Sequence, residues 1–255
     1  MLDGRTALIT GASAGIGEAC AAALAAEGAR LILTARRRER LQVLATRLEE
    51  AHGAAVHVID FDVRQRKAVN TAIESLPEAW ESIDVLVNNA GLSRGLDRLH
   101  EGAPDDWEEM IDTNIKGLLW VDRAVTPGMV RRGRGHVIHI GSIAGRQTYP
   151  RGNVYCATKH AVRALTDGLR LDLMGTGVRV TSIDPGMVDT EFSTVRFRGD
   201  RERAENVYHG MTPLTADDVA QAVLFAVTRP PHVTVGEVLL LPTDQASATQ
   251  VHRRG

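Results

Sequence analysis

Thr10-Gly11-Ala12-Ser13-Ala14-Gly15-Ile16-Gly17 stands directly behind a short apolar run, Arg5 to Thr10, and opens a stretch with helical spacing. Glycines at a strand-to-helix turn let the main chain bend tightly and approach a pyrophosphate, and the helix N-terminus adds free N–H groups and positive potential. Glycine-rich spacing alone is a weak signal; the strand–turn–helix context gives it weight. No Gly-Lys-Ser/Thr ending follows, which sets a P-loop aside. Gly11, Ser13, Ala14, Gly15, Ile16 and Gly17 are therefore candidates to cradle a dinucleotide.

Outward from this turn, apolar runs alternate with helical stretches along the whole chain. Leu31 to Ala35, Ala55 to Asp60, Ile83 to Val87, His136 to Ile140, Val178 to Ile183 and Val238 to Leu241 read as further buried strands. The segments between them are too long for hairpin turns. This alternation predicts an α/β fold, a Rossmann-type doubly wound parallel sheet with helices on both faces, in a single domain over residues 1–255. Gly28 fits the end of a helix from Glu18 to Glu27, Pro77 closes a helix running to Leu76, and Pro104-Asp105-Asp106 opens the one carrying Trp107. Residues 185–213 break the rhythm, with weak periodicity and mixed charge. Following a strand end that should border the ligand crevice, they are expected to form a lid.

Composition narrows the function classes. The 255 residues carry 30 Lys+Arg against 32 Asp+Glu, a net charge of -2, which gives no chain-wide grip on nucleic acid or an anionic membrane. With 44% hydrophobic residues the chain is not disordered, and no apolar run has membrane-spanning length. Met1-Leu2-Asp3-Gly4-Arg5 does not read as a secretory signal. Two cysteines, Cys20 and Cys156, cannot build a disulfide framework, so a cytoplasmic address is expected. The nine histidines lack ligand spacing, so no metal is expected.

The spacing of the glycine turn is Gly-x-x-x-Gly-x-Gly, and four further landmarks follow in order: Asp62-Val63, Asn88-Asn89-Ala90-Gly91, Ser142 with Tyr155-Cys156-Ala157-Thr158-Lys159, and Pro185-Gly186. The ordered set resembles the short-chain dehydrogenase/reductase family over essentially the whole chain. The resemblance implies a nicotinamide cofactor contacted by Asp62, Val63, Asn89, Gly91, Pro185, Gly186, Val188 and Thr190, with Lys159 on the nicotinamide ribose. It also implies that Asn114, in Asp112-Thr113-Asn114, serves a proton relay.

The residues themselves suggest the chemistry. Tyr155 and Lys159, four apart on a helix, share a face. A phenol titrates near 10 and is a poor proton acceptor at neutral pH, so a nearby ammonium is expected to lower its pKa. A shift of ~3 units corresponds to about 4 kcal/mol. Ser142, on the strand end facing this helix, can hydrogen-bond a substrate oxygen, completing a proton-transfer site beside a hydride-accepting cofactor. Taken singly, a Tyr-x-x-x-Lys pair is usually an exposed helix face; the order of the full set favours catalysis.

In the dinucleotide fold an acid about 20 residues past the glycines holds the NAD ribose. Here Arg36-Arg37-Arg38 occupies that place, and no acid appears before Glu39. Arginines can pair with a 2′-phosphate, so NADP is expected, with Arg36 and Arg37 as the clamp.

Longer stretches narrow the resemblance. Ser75-Leu76-Pro77-Glu78-Ala79-Trp80, Gly152-Asn153-Val154-Tyr155 and Thr190-Glu191-Phe192-Ser193-Thr194-Val195-Arg196-Phe197-Arg198-Gly199-Asp200 are similar to NADP-dependent 3-hydroxy acid dehydrogenases. That subgroup implies substrates such as serine, L-allo-threonine or 3-hydroxyisobutyrate. It also implies a homotetramer, with helices Trp107 to Val130 and Asn153 to Met174 at one interface and Trp120, Val121, Leu165 and Leu169 as contacts. A small acid needs a carboxylate anchor. Arg94, Arg146, Arg151 and Arg196 border the crevice; Arg196 is the first choice and Arg146 the second. The alternatives are a broad carbonyl or sugar reductase on the same fold and, more remotely, a non-catalytic dinucleotide-binding regulator, which should have lost Tyr155, Lys159 or Ser142.

Overall fold

The computed structural model describes residues 1–254, and in it the apolar runs form seven strands. They are β1 Thr6–Thr10, β2 Arg30–Ala35, β3 Val56–Asp60, β4 Ile83–Asn88, β5 Gly135–Ile140, β6 Val178–Pro185 and β7 Glu237–Leu240. All pair in parallel, in the order β3-β2-β1-β4-β5-β6-β7. Every residue of β1 and β4 is buried, as strands covered on both faces must be. The strand order reverses between β1 and β4, and the crevice at their carboxyl ends is where such a sheet binds ligands.

One layer of helices comprises α1 Gly15–Ala26, α2 Arg38–His52 and α9 Ala216–Val227. Their apolar stripes, among them Leu24, Leu41, Leu48 and Val223, pack on Ile9, Leu31, Leu33 and Ile183. On the opposite face lie α3 Arg66–Glu74, α5 Leu118–Arg132 and α6 Asn153–Asp172, with Val69, Val121, Val125 and Met129 against Leu8, Ile32, Leu86 and Val137. Predicted boundaries need only small corrections. The first helix starts at Gly15, three residues before Glu18, because the glycine turn itself provides its first turn. The helix before Pro77 ends at Glu74.

Two features depart from the periodic reading. The stretch from Trp107 to Val130 is not one regular helix: α4 Pro104–Ile111 passes through a π-helical turn, Asp112–Gly117, into α5. Such a turn inserts an extra residue into the ladder and often marks a functional site. Residues 185–213 contain two six-residue helices, α7 Glu191–Arg196 and α8 Arg201–Asn206, capped by the side chains of Thr190 and Asp200. Six residues are too few to establish a 3.6-residue period.

Val121 is fully buried against the sheet and cannot be an intersubunit contact. Trp120 and Leu169 are partly buried and pack on the same cluster, whereas Ile111, Val130 and Leu171 on these helices are exposed. No described helix is long and apolar enough to cross a membrane.

Candidate active site

A cleft of about 460 Å³ opens at the carboxyl ends of the strands. Its nucleotide half begins at the glycine turn, where Gly11 (φ +66°) and Gly15 (φ +56°) adopt the left-handed conformation and line the cleft with Ser13, Ala14 and Ile16. Gly17 does not line it. A Cβ there would fall 2.4 Å from the Gly11 carbonyl oxygen, so its role is to let α1 abut the turn. Ala14 caps α1 with no side-chain acceptor, leaving the first amides free for an anion. Asn89 ties this turn to β4, donating to the carbonyls of Thr10 (2.9 Å) and Gly11 (3.4 Å).

Both predicted clamp arginines reach the cleft. Arg37 donates to Ser13 Oγ at 3.1 and 3.2 Å and to Glu191 at 3.1 Å, and Arg40 donates to the other Glu191 oxygen at 2.7 Å. Arg40 and Arg37 hold the Glu191 carboxyl below its usual range. These cations therefore already seat one carboxylate, while Arg36 makes no ion pair among the described residues. This donor set, beside a glycine turn with free helix amides, fits a phosphorylated dinucleotide. Asp62 and Val63 border the same half. Burial pushes the Asp62 carboxyl up, but Arg64, donating at 2.6 and 2.9 Å, more than offsets this.

The other half of the cleft carries the candidate chemistry. Ser142, just past β5, caps the turn Ile143–Gly145 by accepting from Ala144 N at 3.1 Å. Tyr155 and Lys159 line the cleft from the start of α6, both buried. The expected electrostatics change here. Burial pushes the Tyr155 phenol up and the neighbouring Tyr149 adds to this; Arg196 and Ser142 pull it down without cancelling the burial. Lys159 donates to the Ile140 carbonyl at 2.9 Å, and burial pushes its own pKa down to about 8 against the field of Asp184. The phenol is thus raised where the sequence predicts a lowering by Lys159, and Arg196 stands 5.3 Å from the Tyr155 ring.

Asn114 sits in the π-helical turn and does not line the cleft. Its amide accepts from Leu92 N (2.8 Å) and donates to Leu92 O (2.8 Å) and Thr158 Oγ1 (3.0 Å), locking the loop after Gly91 to α6. Gly91, Pro185, Gly186, Val188 and Thr190 all border the cleft. Thr190 also caps α7, accepting from Phe192 N at 3.3 Å.

The two candidate anchors separate. Arg146 is placed outside the cleft lining, with Nε and Nη2 on Asp184 at 3.0 and 2.8 Å and a further bond to Glu237. Its choice as an anchor is corrected on that geometry: two carboxylates engage the Nε/Nη2 edge of the fork, and the side chain lies outside the cleft lining. Arg196 lines the cleft, donates to Tyr149 Oη at 3.1 Å and lies 5.1 Å over Phe192. Its Nε is buried without a partner, and it forms no ion pair among the described residues. Sequence reasoning missed the aromatic wall of Tyr149, Phe192 and Tyr208. Tyr149 lies in no motif, and the other two belong to the segment whose helices were too short to read. Among the described residues no group of three or more His, Cys, Asp or Glu is arranged to hold a metal ion.

Known proteins resemble this chain over nearly its whole length. The model of the short chain dehydrogenase family matches residues 5–200. The chain is 50% identical over 248 residues to an NADP-dependent 3-hydroxy acid dehydrogenase of Salmonella typhi, covering 96% of this chain and 98% of that one. It is 43% identical over 249 residues to a serine 3-dehydrogenase of Agrobacterium fabrum, covering 97% and 98%. A solved structure of the closed form of serine dehydrogenase complexed with NADP+ superposes with a TM-score of 0.91 at 47% identity, covering 98% of this chain and all of that one.

Proposed function

The chain belongs to the short-chain dehydrogenase family, and from that premise we propose that it is an NADP-dependent oxidoreductase interconverting small 3-hydroxy acids and their 3-oxo acids. Serine, L-allo-threonine and 3-hydroxyisobutyrate are the substrate type. The observation that carries the substrate class is Arg196: a guanidinium in the cleft wall, beside Tyr155, with a buried donor and no carboxylate of its own. A planar fork in that state suits a carboxylate.

When bound, NADP supplies the carbon that takes or gives the hydride. Arg36 and Arg37 would hold its 2′-phosphate, and the amides at the start of α1 its pyrophosphate. Ser142 Oγ hydrogen-bonds the reacting substrate oxygen, and Tyr155 Oη takes that oxygen's proton in oxidation or returns it in reduction. With the phenol pushed up by burial, the resting group is protonated and ready to donate. In oxidation the phenolate is stabilised by the Ser142 hydroxyl. Lys159, with its pKa near 8, is poised to exchange a proton near neutral pH. Asn114 holds the Gly91 loop against α6 on the side of this relay.

Residues 185–213 act as the lid of this site: Phe192, Val195 and Arg196 of α7 face Tyr155 and exclude water from the reacting atoms. Slower amide exchange there on NADP addition is the expected sign. The exposed apolar residues Ile111, Val130 and Leu171 support a homotetramer, which light scattering reads directly. Two buried free cysteines are compatible with the cytoplasm.

The deciding experiment compares kcat/KM for 3-hydroxyisobutyrate and for 2-methyl-1,3-propanediol, the same skeleton without the carboxylate, using NADP and NAD. The acid with NADP should be the best pair. Arg196→Met should cut the acid's kcat/KM by roughly 30-fold or more and leave the diol's much less affected. Equal turnover of acid and diol would instead favour a general carbonyl reductase.

A further inference from the structure

Helix α7 carries Arg196 in its last turn, yet six residues are too few to hold a helix without tertiary support. Its C-terminal carbonyls carry partial negative charge. The amides of Phe197, Gly199 and Arg198 satisfy them only in part, donating to the carbonyls of Ser193, Thr194 and Val195. Two consecutive residues of the loop after Gly91 add bonds to the last two carbonyls. Arg94 Nη1 donates to the Val195 carbonyl, and Gly95 N donates to the Arg196 carbonyl at 3.1 Å. The Arg94 side chain is only 13% exposed, and its fork is fixed on Glu109 of α4, with Nε and Nη2 at 2.6 and 3.1 Å from the two carboxylate oxygens. The loop itself is pinned, since Leu92 is held by Asn114 and the Arg94 amide points at Met110 Sδ.

From this we infer that Arg94 is a positioning residue: it clamps the end of α7 and so sets Arg196 against Tyr155. Arg94 does not line the cleft. Its effect on a substrate must therefore pass through α7. Glu109 keeps the clamp oriented, and Arg94 in turn, aided by Arg64, holds the Glu109 carboxyl below its usual range. Arg64 continues the chain. It approaches Glu109 to 3.6 Å and binds Asp62, which lines the nucleotide half. Alternating guanidinium and carboxylate groups thus run from the nucleotide pocket to the lid, and Arg94 is the link that touches the lid backbone. A second tether, Arg198 to Asp106, keeps the segment near α4 when Arg94 is removed, so loss of the clamp mispositions α7 without freeing it.

The inference rests on the reading of Arg196 as the carboxylate anchor, and one double-mutant cycle separates the two. Arg94→Met, Arg196→Met and the double variant are assayed with NADP on 3-hydroxyisobutyrate, with thermal melts alongside. Arg94→Met should raise KM for the acid about 10-fold with kcat and the NADP KM little changed, and the double variant should be no worse than Arg196→Met. Arg94→Lys should recover part of the loss, because one ammonium can reach either Glu109 or the Val195 carbonyl. An unchanged KM in Arg94→Met, or losses that simply multiply in the double variant, would overturn the positioning role. If Arg196→Met by itself leaves the acid's KM intact, the anchor reading fails first. Should Arg94→Met melt below the assay temperature, Arg94→Lys takes its place, with an expected KM rise of about 3-fold; wild-type kinetics there would count equally against the inference.

Discussion

Two clusters of buried polar side chains, one between the sheet and a helix layer and one lining the cleft, differ in how far their hydrogen bonds are satisfied. Around His139, the ring contacts Thr166 Oγ1 at 2.8 Å and Asp122 at 3.0 Å, Asp122 accepts from Asn88 at 3.1 Å, and Asn88 accepts from Thr10 at 3.3 Å. Thr10 in turn accepts from the amides of Asn89 and Ala90, both at 2.9 Å. Every member is partnered, and the cluster braces β1, β4 and β5 behind the cleft. Around Tyr155, by contrast, Arg196 keeps an unpartnered donor, and burial shifts both the phenol and the Lys159 amine away from their ordinary values. A saturated buried network specifies structure; an unsaturated one holds capacity for a ligand.

Three substitutions can break that contrast, taken from the largest expected effect to the smallest. Tyr155→Phe keeps the ring and its packing against Phe192 but removes the exchanging hydroxyl. Turnover should fall by roughly 10²- to 10⁴-fold while the melting temperature stays within a degree or two. A variant that still turns over at a few-fold below wild type would show that the proton has another route.

Asp122→Ala should do the reverse. It strips the partner from His139 Nε2 and leaves Asn88 with only the Leu118 carbonyl for its amide. Denaturant unfolding should report a loss of about 3 kcal/mol, with the ratio of acid to diol turnover unchanged in the folded enzyme. A changed ratio at full stability would place this cluster in the chemistry after all.

Lys159→Met tests whether the unsaturated cluster costs stability. Burial disfavours the charged amine, so the folded-state pKa near 8 lies below the ordinary 10.5. The penalty is fully present below pH 8 and fades as pH rises towards 10.5. At pH 7 the cofactor-free variant should therefore be more stable than wild type, by up to about 3 kcal/mol, less whatever the Ile140 hydrogen bond contributes. The advantage should shrink between pH 8 and 10.5. A variant less stable than wild type at pH 7, or an advantage that grows with pH, contradicts the assigned direction.

Much of this arrangement is legible in the chain. The strands appear as apolar runs because burial on both faces leaves no room for alternation, and each lies within two residues of its predicted bounds. The glycine turn was legible because glycines stand where the backbone must take positive φ, whereas Ser142, Tyr155 and Lys159 were singled out by the ordered motif set that resembles the family, the last two standing one helical turn apart. The π-helical turn around Asn114 was not legible, since one extra residue in a helix leaves the apolar pattern almost undisturbed. Helices α7 and α8 were hidden by their brevity.

The fate of the arginines marks the boundary between what sequence and structure each decide. The sequence alone determined that cations stand after β2 and around the crevice, because residue type and strand order fix both. Which of them is free was decided only by the fold. Arg146 and Arg94 met Asp184 and Glu109, 38 and 15 residues away, while Arg196 met aromatic rings and a tyrosine hydroxyl. A guanidinium's availability is a property of its neighbours, and those neighbours are brought to it by chain crossings that no local pattern records.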